Sequence, residues 1–223
     1  MSASVRQALG GLAPIAIIFA LVFGPAGTLQ YWQGWVYLCI ALGGGAAMVL
    51  YLRRSDPELL KRRSRLPTAE KATSQKLIQF AVLIVFVGTL VIASLDRRFA
   101  WSHVPLPAMI AGYVLFGAAF RLIFLAFRAN TFAGVTIDVE TDQKVISTGP
   151  YAIVRHPYYS GLLLWTGATP LVLGSWWALL MVVPMIAILV ARIRYEEGYL
   201  TQHLPGYTEY CRNVRSRLIP RVW

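Results

Sequence analysis

From Gln7 to Leu52 the chain runs 46 residues without an Asp, Glu, Lys or Arg. A helix crosses the roughly 30 Å hydrocarbon core of a bilayer in about 20 apolar residues, so this stretch holds two spans. The break between them falls at Gln30–Trp35, where Tyr31, Trp32 and Trp35 carry amphipathic rings suited to a membrane–water interface. Three more uncharged runs follow: Leu77–Leu95, then Val104–Phe120 (extended past Arg121 through Leu122–Phe127), then Pro157–Ala191. As one helix the last run would be about 50 Å long at 1.5 Å per residue. Gly174-Ser175 before Trp176-Trp177 is a natural bend, so the run reads as a helical hairpin and the chain as six membrane segments. A soluble fold is excluded by composition: 57% apolar and 14% charged, against roughly 45–50% and 25% for soluble domains. Membrane barrel strands alternate apolar and polar residues, and these runs do not.

The remaining charge is lopsided, with 21 Lys and Arg against 10 Asp and Glu. In a soluble protein that excess would point to nucleic acid. Here Arg53, Arg54, Lys61, Arg62, Arg63, Arg65, Lys71 and Lys76 all lie between the second and third apolar runs. The positive-inside rule places that segment in the cytoplasm. Six spans then put both termini there, with residues 128–156 and the tail residues Arg212, Arg215, Arg217 and Arg221. Only Arg97 and Arg98 fall outside. The expected partners of the basic segment are anionic lipid headgroups, not nucleic acid. Arg6 precedes the first run without a small-residue cleavage site, so the first helix is expected to remain as an anchor. The expected location is a multi-pass position in a bacterial inner membrane. Cys39 and Cys211 show no disulfide or metal spacing.

The chemistry-bearing residues gather at the feet of the hairpin. Arg155-His156-Pro157 stands at its entry; Pro157 suits the first turn of a helix. His156 then lies near a helix N-terminus, where backbone N–H groups favour an anion. At the exit, Arg192 and Glu196 are four residues apart and share a helical face. The hairpin returns to the side it left, so both feet meet at one interface. They bring together a cation, a carboxylate, an imidazole, tyrosines and a Gly-Pro turn. Ionisable groups in membrane segments are functional candidates. Residues 130–140 read as a short strand or an extended loop beside them.

The block Gln143–Gly161, with Ser-Thr-Gly-Pro-Tyr and Arg-His-Pro-Tyr-Tyr-Ser-Gly, resembles the isoprenylcysteine carboxyl methyltransferase family. So does the tail, Glu196-Glu197-x-x-Leu200, then Pro205-Gly206-Tyr207-x-x-Tyr210, then Arg217-Leu218-Ile219-Pro220. The resemblance covers about Asn130 to Trp223, and the wider group includes phospholipid N-methyltransferases. It implies an all-α integral membrane enzyme of about six membrane helices, the last two a hairpin, with a cytoplasmic cofactor-binding cap. Residues 1–128 would form the N-terminal membrane helices, and 129–223 the cofactor segment, hairpin and tail. The implied cofactor is S-adenosylmethionine. Carried over by position, it would be held by Thr136, Gln143, Lys144, Val145, Ile146, Gly149, Tyr151, His156, Pro157, Tyr158, Tyr159 and Glu196. Arg192 and Arg155 are the expected catalytic residues, with Arg192 near the reacting group; no metal is expected. Gln143 and Lys144 depart from the His and small polar residue common in the eukaryotic enzymes.

The implied reaction moves a methyl group to a lipophilic or lipidated acceptor. A carboxylate acceptor is already ionised at neutral pH and needs no general base, whereas an amine must first lose a proton. Carboxyl O-methylation is therefore expected over N-methylation of a phospholipid or other lipid. A nicotinamide-dependent membrane reductase is the other enzyme class this layout permits.

Overall fold

The computed structural model describes residues 3–64, 70, 72–140 and 142–223, with side chains from Ala13 onward. Arg65 and Lys71 of the basic segment lie outside the described residues, as does the Arg6 side chain. The helices are α1 (Ala3–Ala26), α2 (Trp32–Ser55), α3 (Pro57–Arg63), α4 (Thr73–Phe99), α5 (Leu106–Ala129), α6 (Pro157–Leu173), α7 (Val182–His203) and α8 (Tyr207–Asn213). Two short 3-10 turns, Gly149–Ala152 and Trp177–Met181, complete the regular structure, and no strand occurs among the described residues. Residues 130–140 accordingly form a loop. The Asn130 carboxamide oxygen accepts from the Phe132 N–H at 2.9 Å, the side-chain turn that competes with a strand ladder.

Four stretches are long and apolar enough to cross a membrane: Trp32–Ser55, Thr73–Phe99, Leu106–Ala129 and Trp177–His203. Ala13–Ala26 is a shorter apolar helix, and α6, at 17 residues, is the short arm of the hairpin. The protein is thus multi-pass, with four helices among the described residues long and apolar enough to span, where the sequence suggests about six membrane segments. Leu83, Ile84, Val114 and Val183 are each more than half exposed, the outward apolar surface a lipid environment stabilises.

Helix α6 runs antiparallel to α5 and is pressed against it by small residues. A Cβ added at Gly112 would lie 2.6 Å from Leu171, and one at Gly161 would lie 2.6 Å from Ile123. Packing through small residues is how membrane helices approach closely where lipid offers no hydrophobic drive. Trp165 of α6 fills the next layer, its ring centroid 4.7 Å from Phe116 and 4.5 Å from Phe120. Gly161→Leu should therefore force α6 off α5 and destabilise the fold by about 1–3 kcal/mol, measured as a lower melting temperature in detergent.

The bend of the hairpin is locked at the end opposite the chemistry-bearing residues. Asp96 of α4 is 1% exposed and accepts three hydrogen bonds. The Ser102 N–H donates at 2.7 Å, and the Ser102 and Ser175 hydroxyls donate at 2.6 Å each. A buried carboxylate is tolerable only with such partners. The Tyr31 hydroxyl donates to the Leu173 carbonyl at 2.6 Å, and Gly174 turns the chain with φ of 79°. Pinned there, α6 and α7 deliver residues 155–159 and 192–200 to one place at the other end.

Candidate active site

His156 caps α6, and Pro157 takes the first helical position, as its fixed φ and missing N–H favour. The backbone N–H groups of Arg155 and His156 donate to the carbonyls of Ser216 and Arg217 at 2.9 and 3.0 Å. The Ser160 hydroxyl donates to the Leu218 carbonyl at 2.6 Å. The C-terminal tail is therefore stitched across the start of α6.

Glu197 is the electrostatic centre of this junction. Its carboxylate accepts from Arg155 Nε at 2.6 Å and from Arg217 Nε at 2.8 Å, and lies 3.1 Å from His156 Nε2. Its side chain is only 12% exposed. Arg155 also donates to the Val214 and Arg215 carbonyls at 2.8 and 3.0 Å. Burial works against the Arg155 charge, and Glu197 more than offsets it, so its pKa is raised. Arg155 thus directs its guanidinium at the tail, although its side chain still lines the cleft beside it.

That cleft encloses about 850 Å³ counted to its open mouth. It is walled by residues of 130–138 and 143–146, the foot of α6, one face of α7, and tyrosines from the 3-10 turn and α8. Of the residues expected from sequence, Thr136, Gln143, Lys144, Val145, Ile146, Tyr151, Arg155, His156, Tyr158, Tyr159, Arg192 and Glu196 line it. Gly149 and Pro157 do not: Gly149 is exposed and turns the chain at φ 59°, and Pro157 is buried in the first turn of α6. Sequence reasoning missed Asn130, Phe132, Asp138, Tyr207, Tyr210 and, on α3, Arg63. The Pro-Gly-Tyr spacing of the tail was the available signal for the two α8 tyrosines. Arg63 gave none, because it looks like one more basic residue of a topology-setting loop.

Arg192 and Glu196 do share a helical face, and the Tyr159 hydroxyl links them. It donates to Glu196 at 2.7 Å and accepts from Arg192 Nε at 3.3 Å. Arg192 is 5% exposed and further engaged. Its guanidinium donates to Gln75 at 2.8 Å, to Glu70 at 3.3 Å and to the Val135 carbonyl at 2.8 Å. Glu196 is half-buried, lines the cleft and accepts a side-chain hydrogen bond from Tyr159 alone among the described residues, leaving one carboxylate oxygen without such a bond. Burial pushes the Tyr151 hydroxyl up to about 12, and raises Tyr207 and Tyr210 as well. Tyr151, Tyr207 and Tyr210 therefore present neutral rings and hydroxyls to the cleft.

A second cavity, about 650 Å³ to its open mouth and mostly apolar, adjoins the first. Ile78, Gln79 and Val82 of α4, Leu162 of α6 and Leu189 of α7 line it. Arg63, Gly134, Tyr158, Tyr159 and Arg192 line both cavities. A polar cleft sharing a rim with an apolar groove between membrane helices suits an enzyme that brings a polar co-substrate to a lipophilic one.

Comparison with known proteins agrees. The family described as phospholipid methyltransferase matches residues 107–205. A probable protein-S-isoprenylcysteine O-methyltransferase of Oryza sativa subsp. indica is 31% identical over 147 residues, which are 63% of this chain and 73% of the rice protein. Protein-S-isoprenylcysteine O-methyltransferase B of Arabidopsis thaliana is 35% identical over 117 residues, 52% of this chain and 57% of that protein. The Schizosaccharomyces pombe protein-S-isoprenylcysteine O-methyltransferase is 28% identical over 108 residues, 47% of this chain and 46% of that one. The chain belongs to the isoprenylcysteine carboxyl methyltransferase family and is an S-adenosylmethionine-dependent methyltransferase. That membership sets aside the nicotinamide-dependent reductase.

Proposed function

We propose that this protein esterifies the carboxylate of a lipophilic, isoprenylcysteine-like acceptor, with S-adenosylmethionine in the polar cleft and the acceptor's apolar chain in the groove between α4, α6 and α7. The observation that carries this reading is the rim the two cavities share. It lets a water-soluble donor and a membrane-soluble acceptor meet without either leaving its own medium. The cleft fits the donor chemically. Glu196 lines it with a carboxylate, suited to an ammonium group, and Phe132, Tyr151, Tyr207 and Tyr210 supply aromatic faces for a purine. Backbone and side chains of Gln143–Ile146 form the opposite wall. When bound, the cofactor supplies an electrophilic methyl group on a sulfonium.

The chain's own residues then hold and align. An ionised carboxylate needs no base, so rate comes from orientation and exclusion of water. Arg192, fixed by Tyr159, Gln75, Glu70 and Val135, sets the geometry of the rim, and Arg155 secures the cap through Glu197. An amine acceptor is less well served. It must lose a proton, and His156, the imidazole lining the cleft, is engaged with Glu197. We place the cleft on the cytoplasmic side, because Arg53, Arg54 and Lys61 cluster at the same end of the molecule by the positive-inside rule.

The test is methyl transfer from labelled S-adenosylmethionine to N-acetyl-S-farnesylcysteine by the purified full chain in lipid vesicles. The expected product is a methyl ester, which releases volatile methanol in mild base. A base-stable labelled amine in a lipid extract would replace the reading with N-methylation.

A further inference from the structure

The shared rim carries two arginines with opposite hydrogen-bonding states. A guanidinium has five N–H donors. Arg192 uses four, on Tyr159, Gln75, Glu70 and Val135, and Glu70, 2% exposed in its side chain, balances its charge. Arg63, at the C-terminal end of α3, uses two. It donates to the Tyr158 hydroxyl at 2.7 Å and to the Gly134 carbonyl at 3.2 Å. No carboxylate pairs with it among the described residues, and none of the chain's acids lies outside them. It is not a loose surface chain. The guanidinium lies over the Phe127 ring at 4.7 Å and the Tyr158 ring at 4.4 Å, two rings that stack on each other at 5.3 Å.

We infer that Arg63 is the residue that grips the acceptor's carboxylate at the junction of cleft and groove. The inference rests on the carboxyl methyltransferase reading above. Three observations carry it. Arg63 lines both cavities. Its free donors form a planar fork that matches a carboxylate, and a guanidinium stacked on aromatic rings is weakly hydrated and already oriented. The neighbouring polar group of the groove, Gln79, donates to the Val135 carbonyl and leaves its own oxygen buried without a partner among the described residues. That oxygen suits an N–H and opposes a carboxylate, so the carboxylate belongs on the Arg63 side. Arg192, neutralised and nearly saturated, is the fixed wall against which it is held.

S-adenosylmethionine also has a carboxylate, and the experiment separates the two sources. Wild type, Arg63→Gln and Arg63→Lys are assayed with N-acetyl-S-farnesylcysteine, its carboxamide as competitor, and S-adenosylhomocysteine by calorimetry. Arg63→Gln should raise the acceptor KM about 10- to 100-fold, the loss of one charge-assisted hydrogen bond. It should leave S-adenosylhomocysteine affinity within about threefold and abolish the wild-type preference for carboxylate over carboxamide. Arg63→Lys should restore part of that preference, which a purely structural role would not require. An unchanged preference in Arg63→Gln would overturn the assignment. So would a parallel loss of S-adenosylhomocysteine affinity, which would give the carboxylate to the donor. If wild type methylates no carboxylate, the functional reading itself fails, while the carboxylate-versus-carboxamide binding comparison still reports on Arg63.

Discussion

Glu197→Ala should detach the C-terminal tail from the foot of the hairpin. Arg155, Arg217 and His156 converge on this one carboxylate within 2.6–3.1 Å, and it is 12% exposed. Removing one partner of a buried ion pair costs about 3–5 kcal/mol, and here the buried Arg155 would lose its counter-charge while Arg217, a third exposed, turns to solvent. Arg155 is 7% exposed and its own backbone N–H is bonded to the tail, so it is held at the junction. The loss should be read as proteolytic cleavage between α8 and the C-terminal residues under conditions where wild type is protected, with a lower melting temperature. A tail that stays protected, with a melting temperature equal to wild type, would show that the backbone bonds from Ser216 and Arg217 hold the cap by themselves.

Glu196→Gln, one residue earlier, should weaken donor binding and spare the fold. The amide oxygen still accepts from the Tyr159 hydroxyl, now at 2.7 Å, so the link to Arg192 survives. Only the negative charge in the cleft lining is lost. A charge-assisted hydrogen bond contributes about 1.5–3 kcal/mol, so S-adenosylhomocysteine affinity should fall about 10- to 100-fold at unchanged melting temperature. Unaltered affinity would remove Glu196 from the donor site. The contrast between adjacent glutamates is the sharp part of the pair. One, bonded to the tail's arginine, should unfold the cap when removed, and the other, in the cleft lining, should weaken donor binding. Arg192→Ala belongs with the first behaviour. It removes a buried guanidinium that ties Tyr159, Gln75, Glu70 and the Val135 carbonyl together, so its loss of activity should come with a loss of stability.

Much of this protein is legible in one dimension. An uncharged run must be a helix in a membrane, since a bilayer leaves backbone groups only internal partners. The break at Gly174-Ser175, and the convergence of Arg155–Tyr159 with Arg192–Glu196, follow from that and from the 3.6-residue period; the first break falls at Gly27–Tyr31, a few residues before the expected Gln30–Trp35, because Trp32–Trp35 already belong to α2. Twelve of the expected site residues do line one cleft. What sequence could not decide is which of several similar charges does what, because charge type is encoded locally and charge environment is not. Arg63, Arg155 and Arg192 are the same residue in the sequence. Packing gives Arg155 to Glu197 and the tail, gives Arg192 to Glu70, Gln75 and Val135, and leaves Arg63 on two aromatic rings with donors to spare. The same holds for Glu196 and Glu197, neighbours in the chain but about 100° apart around α7. A helix turns consecutive residues to different surroundings, and only the tertiary structure says what those surroundings are.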